Sequence, residues 1–402
     1  MSWLDPFRRR ILLGFLRRIG PRLTKGRLQL SLPDGERREL GGQNPGVEAE
    51  IQLRDWRFTD RLMRGGTVGF AQAYLDDFFD TPDLKAVIDF ALDNRLNVGT
   101  NSIKARGIFA QALRRYHAAR ANTVRQARDN IEAHYDLGNA FYALWLDPSM
   151  TYSSAYFTEA TTDLEAAQQA KYDRLAAQLQ LQPGQRLLEI GCGWGGAAER
   201  FCGTYGVQLT GLTLSPSQLG FAQERMARLG LSEQSDLRLE DYREHSGRDY
   251  DALLSIEMFE AVGEAYWPAY FQTVFAALKP GGRAALQIIT INDSDFDDYR
   301  RNPDFIQRYV FPGGMLATLR HLRELSAEVG LQWRDAFSLR ESYARTLLTW
   351  RERFWAAWPE IETQGFDARF WRLWTYYLTY CASGFEENII DVYQILMQKP
   401  ER

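Results

Sequence analysis

From Gln185 onward the chain alternates short apolar runs with helix-forming stretches: RLLEI, QLTGLTL, LRLE, ALLSI and RAALQIITI follow one another in this rhythm. A strand reaches a parallel neighbour only through a crossover of a dozen or more residues, usually a helix. The rhythm therefore restricts this half to an α/β architecture with a mostly parallel sheet. Gly184, Gly211 and the pair Gly281-Gly282 are expected in the connecting loops, and the late apolar run NIIDVYQILMQ is expected as a further strand of the same sheet. An insertion, roughly 340–387, holds Trp350, Trp355, Trp358, Trp371 and Trp374, five of the eleven tryptophans. Such density suits a core and equally a wall for a long apolar ligand.

A chain of 402 residues is long for one core, so two domains, or one domain with large additions, are expected. Residues 3–19 place Leu4, Phe7, Ile11, Phe15 and Ile19 on one side of a helix, with Arg9, Arg10 and Arg17 roughly opposite and Arg8 and Arg18 intruding on the apolar side. From Arg27 the period falls toward two, so RLQLSLPDGERREL and EAEIQLRD read as strands with a turn at Pro33-Asp34-Gly35, and GFAQAYLDDFFDTPDLKAVIDFAL reads as helices. The expected division is a small α+β domain over 1–100, a basic linker helix over 101–130, and the sheet-bearing domain over 131–402. The basic stretch is equally readable as a solvated helix face.

Composition excludes several functions. A net charge of −4 offers no global field for nucleic acid. Residues 1–30, however, carry eight Arg or Lys against the single acid Asp5, a local charge that suits an anionic membrane surface. The run Ile11–Leu16 is too short for a signal sequence or a membrane span. Cys192, Cys202 and Cys381 are odd in number and form no C-x-x-C pair, so a reducing cytoplasm is expected and a disulfide framework is not. The four histidines are scattered, and no catalytic metal is expected.

The loop after RLLEI reads GCGWGG, in which Gly191, Gly193 and Gly196 satisfy G-x-G-x-x-G. A dinucleotide site wants an acid at the end of the next strand, for the ribose hydroxyls. That strand ends in Thr213, Leu214 and Ser215, without one. Instead Glu189 precedes the first glycine and Asp241-Tyr242 end the third strand, a pattern that favours S-adenosylmethionine (SAM) over a nicotinamide cofactor. Glycines at 191, 193 and 195 let the backbone pass close under a ligand, and Tyr152, Trp194 and Tyr242 could face the sulfonium cation.

The stretches AHYDLGNAFYALWLDPSMTYSSAYF, LLEIGCGWGG, QLTGLTLSPSQ, SIEMFEAVG, DFIQRYVFPGGML and SYARTLLTW, in this order, resemble the cyclopropane-fatty-acyl-phospholipid synthase family, which includes the mycolic acid cyclopropane synthases. The resemblance implies a class I SAM-dependent methyltransferase fold: a Rossmann-like, doubly wound, seven-stranded sheet beside the smaller N-terminal α+β domain. It implies methyl transfer to the double bond of an unsaturated phospholipid acyl chain, and with the basic N-terminus the enzyme is expected in the cytoplasm, peripheral on the inner face of the membrane. It also admits a homodimer.

Carried over by position, the resemblance implies SAM contacts from Tyr152, Ser153, Gly191, Gly193, Thr213, Leu214 and Gln218, with Asp241 and Tyr242 near the adenine. Glu189 and Gly195 complete the expected cofactor set. A bicarbonate ion is implied as the base, held by Ser154, Glu260, Gln287, Ile289 and Tyr343. Ser154 stands where the family typically has cysteine, and Gln287 where many bacterial members have histidine.

Beside these implied roles stand readings from the residues alone. Glu260 could orient a base or simply be an acid favoured at a helix N-terminus, and Glu257 competes with it. Tyr343 could donate its hydroxyl or be core. His134, Tyr135 and Asp136 are expected to shape a loop, and Cys192 to be a buried filler. Proton loss from the transferred methyl would close a cyclopropane; loss from a neighbouring carbon would leave a methyl-branched or methylene chain. An N-methyltransferase on the same scaffold is a further alternative.

Overall fold

A computed structural model of the chain describes residues 3–98, 110–112, 115, 116, 120 and 137–401. Most of the basic stretch 101–130, together with His134, Tyr135 and Asp136, lies outside the described residues. The chain forms two compact units: one from 1–119, 298–310 and 358–387, the other from 120–297, 311–357 and 388–402.

The first unit opens with a helix, Asp5–Ile19, started by a proline in its first turn. Its buried side is not the expected stripe. Leu12 and Leu16 are buried, whereas Phe7 remains 63% exposed. The reason is electrostatic: Arg8 pairs with Asp5 at 3.2 Å and Asp60 at 2.8 Å, and Arg9 pairs with Asp34 at 2.7 Å. These residues share a helix face with Leu12 and Leu16, so satisfying them turns that face inward.

The unit's sheet contains β1 (Lys25–Ser31), β2 (Arg37–Gly41), β3 (Asn44–Leu53) and β4 (Phe79–Asp80), in the order β2-β1-β3-β4. β1 and β2 are the expected hairpin, with Ser31 opposite Arg37 and Gly35 in a left-handed turn. The helices Arg57–Leu75 and Leu84–Asp93 follow as read, separated by the unforeseen β4. The units do not follow the linear division at residue 131, because the second half of the tryptophan-rich insertion groups with the N-terminal residues. There Tyr376 packs on Phe305 at 4.6 Å and on Tyr74 at 6.0 Å, and Arg372 pairs with Asp77 at 2.5 Å.

The second unit carries β5 (Arg186–Ile190), β6 (Gln208–Thr213), β7 (Ser235–Leu239), β8 (Tyr250–Ile256), β9 (Leu278–Ile291), β10 (Gln332–Ser338) and β11 (Ile390–Gln398). They form one seven-stranded sheet in the order β10-β11-β9-β8-β5-β6-β7. β5 to β9 are parallel, while β11, the expected late strand, runs antiparallel between β9 and β10. Leu187, Leu209, Leu254 and Ala285 of the sheet pack with Leu175, Phe201 and Met226 of its helices in one core.

Two glycine expectations fail. Gly211 lies within β6, where a Cβ would come within 2.7 Å of the Leu237 side chain. Gly281 and Gly282 fall within β9, at a register shift against β8. From β5 the chain order runs outward through β6 to β7; on the other side come β8 and β9. The boundary between β5 and β8 is therefore the point where open sheets of this kind bind ligands.

The rotated first helix makes a testable contrast. Leu12→Ala should destabilise the protein by about 2–5 kcal/mol, while Phe7→Ser should change stability by less than about 0.5 kcal/mol. Denaturant midpoints of the two variants check it, and equal effects would contradict the observed face.

Candidate active site

The chain leaves β5 through Gly191, Gly193 and Gly195, all with positive φ (90°, 51° and 80°), a backbone state that glycine adopts without strain. The loop is pinned because the Gly191 and Cys192 amides both donate to the Leu212 carbonyl at 2.9 Å. A Cβ on Gly193 would meet nothing within 4 Å, so the backbone there borders open space. Cys192 is buried, and burial pushes its thiol well above the usual range, which fits a filler and not a nucleophile.

Around this loop stand the other expected SAM contacts. Glu189 is 3% exposed and its Oε2 has no hydrogen-bond partner among the described residues; burial pushes its carboxyl up to about 8, against the pull of Lys171. Thr213 and Gln218 are buried, with the Thr213 hydroxyl donating to Gln218 Oε1 at 3.1 Å, and Leu214 follows half-buried. Tyr152 lies in an aromatic group, 5.4 Å from Tyr142 and 5.3 Å from Trp350 between ring centroids. The Trp194 ring lies 5.0 Å from Tyr142 and its indole N–H donates to Asn139 at 2.7 Å. At the end of β7, Tyr242 has a buried hydroxyl without a partner, while the Asp241 carboxylate is taken up by Arg243 at 2.9 and 2.6 Å.

A cradle without Cβ atoms, an orphaned buried acid and several aromatic rings fit SAM. Among the described residues no cluster of His, Cys, Asp or Glu could hold a metal. Of the five insertion tryptophans, Trp350 is buried beside Tyr152 and Tyr343 in the second unit, Trp374 is buried against Phe370 in the first, and Trp355 is 40% exposed.

Past the end of β8 lies a second group, and its centre is Glu257. This carboxylate accepts from the Ser154 amide at 2.8 Å, from Gln287 Nε2 at 2.7 Å and from the Tyr343 hydroxyl at 2.6 Å. Gln394 Nε2 donates to Gln287 Oε1 at 3.1 Å, which fixes the amide with its NH₂ toward Glu257. Burial raises the Glu257 carboxyl above its usual range, against the opposing effect of Tyr343, Gln287, Ser154 and Lys171. Its φ is +49°, a left-handed conformation that costs a non-glycine residue roughly 1–2 kcal/mol.

Glu260, three residues on, accepts from the Ile289 amide, and its Oε2 has no partner. Burial, and then the neighbouring Glu257, push its carboxyl up to about 8. The Ser154 hydroxyl turns away and donates to the Ala155 carbonyl at 2.9 Å. Ser154, Gln287 and Tyr343 thus come together as expected, but they point at a side chain of the protein. This donor set does not fit a separate bicarbonate ion.

Ser153 is placed by a residue that sequence reasoning missed. Lys171 is fully buried and donates to Ser153 Oγ at 2.8 Å; desolvation lowers its pKa, opposed by Glu257, Asp147 and Glu189. A signal existed. On the helix Leu164–Leu179 the buried positions are Leu164, Ala167, Gln168, Lys171, Tyr172, Leu175, Ala176 and Leu179, so a lysine sits on the core-facing stripe.

The model of the mycolic acid cyclopropane synthetase family matches residues 122–395. The chain belongs to that family. Cyclopropane-fatty-acyl-phospholipid synthase of Escherichia coli is 35% identical over 363 residues, 89% of each chain. Tuberculostearic acid methyltransferase UfaA1 of Mycobacterium tuberculosis is 35% identical over 381 residues, 93% of this chain and 88% of that one. Among solved structures, the cyclopropane synthase MmaA2 from Mycobacterium tuberculosis aligns at 34% identity with a TM-score of 0.63, covering 68% of this chain and 98% of that one. The seven-stranded sheet is the class I methyltransferase fold of these synthases, and the protein is a SAM-dependent methyltransferase. Coclaurine N-methyltransferase, at 22% identity and a TM-score of 0.63, shares the fold.

The raised Glu260 carboxyl has a consequence for stability. In the unfolded chain it loses its proton near 4.5, and in the folded protein near 8. Its favourable contribution is complete below about 4.5 and falls away as pH rises through about 8, because only the folded state then retains the proton. Glu260→Gln removes this linkage, so stability from denaturant melts should fall less steeply between pH 5 and 8 than in wild type. An unchanged slope would contradict a protonated Glu260.

Proposed function

We propose that the protein transfers a methyl group from SAM to the double bond of an unsaturated phospholipid acyl chain and converts it to a cyclopropane. The glycine loop carries this reading: Gly193 borders open space beside the orphaned Glu189, within a family whose relative in Escherichia coli bears the name of that activity. When bound, SAM supplies an electrophilic methyl on a sulfonium centre.

The chain's own groups do the rest. Gly191, Gly193 and Gly195 admit the cofactor close to the backbone, with Glu189 as acceptor for one of its N–H groups. Thr213, Leu214 and Gln218 border it at the end of β6, and Tyr242 is placed for the adenine. The rings of Tyr152 and Trp194 favour a cation by roughly 0.5–2 kcal/mol each. The surrounding buried aromatics keep out water, which would otherwise capture the carbocation left on the acyl chain.

A second reading keeps the site and changes the product to a methyl-branched or methylene chain. The similarity to a tuberculostearic acid methyltransferase over 93% of this chain favours it. No helix among the described residues is long and apolar enough to cross a membrane. Arg8, Arg9 and Lys25 are met by acids, and the exposed Arg10, Arg17 and Arg18 of the N-terminal segment would hold the enzyme on anionic lipid at the cytoplasmic face, each contributing up to about 1 kcal/mol. Vesicle sedimentation should then show salt-sensitive binding to anionic lipid and little to neutral lipid.

Enzyme, unsaturated phospholipid and SAM with a deuterated methyl separate the two products. A cyclopropane retaining two deuteriums is the expected outcome; a methyl-branched alkene retaining three, or an exocyclic methylene retaining two on a C=C bond, would select the second reading. Gly193→Val should abolish SAM binding in calorimetry while the far-UV spectrum stays native, since its Cβ meets no atom of the described residues and the strain of a branched residue at φ +51° is confined to the loop. Undiminished affinity would remove the glycine loop from the cofactor site.

A further inference from the structure

We infer that Glu257 is itself the base of the reaction: its carboxylate stands where a bound anion would be held and takes the proton from the acyl carbocation. The inference rests on methyl transfer to an acyl double bond and deepens it by assigning the group that completes the reaction.

Three of the groups that would cradle a small oxyanion converge on this one side chain. The Ser154 amide and Gln287 Nε2 both donate to Oε1, and the Tyr343 hydroxyl donates to Oε2, at 2.6–2.8 Å. A planar, singly charged carboxylate with two oxygens has the shape and acceptor capacity of the bicarbonate edge that such donors would grip. The cradle is built for that carboxylate, since Gln394 orients the Gln287 amide and the Ser154 hydroxyl is spent on the Ala155 carbonyl. The departure from cysteine at position 154 then costs nothing, because only the backbone amide of Ser154 is used.

The backbone supplies an independent observation. Residue 257 has a φ of +49°, where glycine would be unstrained. A glutamate held there against its own conformational preference marks a position at which the side chain is wanted. Glu257 is half-buried as a residue, whereas Ser154 and Gln287, which donate to it, are fully buried. Lys171 contributes positive charge to the same region and favours the ionised carboxylate.

The step balances without a further reagent. After methyl transfer the acyl chain carries a cationic carbon, and a C–H bond next to it breaks. The proton goes to a Glu257 oxygen. The electron pair closes the new C–C bond of a cyclopropane when the proton leaves the transferred methyl, or a C=C bond when it leaves a neighbouring carbon. Glu257 then returns the proton to solvent.

The test compares wild type with Glu257→Gln, which keeps the shape and loses the basicity, and Glu257→Gly, which suits the backbone and empties the cradle. All three should bind SAM alike in calorimetry. Wild type should retain full turnover on unsaturated phospholipid in carbonate-depleted buffer. Glu257→Gln should lose about 10²–10⁴-fold. Glu257→Gly should be equally impaired and regain activity as bicarbonate is added.

A second readout is independent of turnover: ¹³C-bicarbonate should bind Glu257→Gly and not wild type by NMR. Undiminished turnover in Glu257→Gln, loss of wild-type activity on carbonate depletion, or bicarbonate bound to wild type would each overturn the assignment. If wild type methylates no unsaturated lipid, the acyl-chain reading fails, and the bicarbonate spectra still decide whether Glu257 fills the anion position.

Discussion

The second unit is organised by the burial of charge at the carboxyl ends of its central strands. Glu189 closes β5, Glu257 and Glu260 follow β8, and Lys171 reaches the same region from the helix Leu164–Leu179. An isolated ion in such surroundings would be several kcal/mol unfavourable, so each group must be paired, hydrogen-bonded or neutralised. The structure uses all three solutions. Glu257 is hydrogen-bonded by three donors, Lys171 has Ser153 and the acids around it, and Glu189 and Glu260 are pushed toward the neutral form. Arrangements in which neighbouring carboxyls hold different protonation states are those that enzymes use to divide acid and base roles.

The same constraint explains why Tyr343 and Gln287 matter beyond their own contacts. Tyr343 enters from the first turn of the helix Arg340–Thr363 and Gln287 from β9, so the hydrogen bonds to Glu257 tie elements far apart in sequence to the loop after β8. The aromatic group of Tyr152, Trp145 and Trp350 packs nearby on elements of the same unit and excludes water. Methyl transfer to an alkene needs both features: a dry space for a cation, and one base close enough to end its lifetime.

Much of the fold was legible because its signals are local. The strands β5, β6 and β8 lie where the apolar runs fall, and the glycine loop follows β5, since a tight turn with positive φ can be read from glycine spacing alone. Where a residue's environment comes from a neighbouring strand, reading failed. Gly211 was expected in a loop and lies in β6, because the reason for its small size is the Leu237 side chain of β7. The first helix was expected to bury Phe7 and Ile11 and instead buries Leu12 and Leu16, because Asp60, Asp34 and Glu36 hold Arg8 and Arg9.

By itself the sequence determined the fold class, the family and the place of the glycine loop, all of which are written in contiguous motifs and in the period of apolar residues. It also named Glu260, Tyr343, Gln287 and Ser154 as candidates. Only the tertiary structure decided what these residues surround. Hydrogen bonds among residues 154, 257, 287 and 343 have no periodicity that a linear pattern could carry, and they fall on Glu257, a residue that reading along the chain ranked behind its neighbour. Lys171 shares its helix stripe with apolar residues, a pattern open to reading, but only the fold shows that its ammonium group is buried against Ser153.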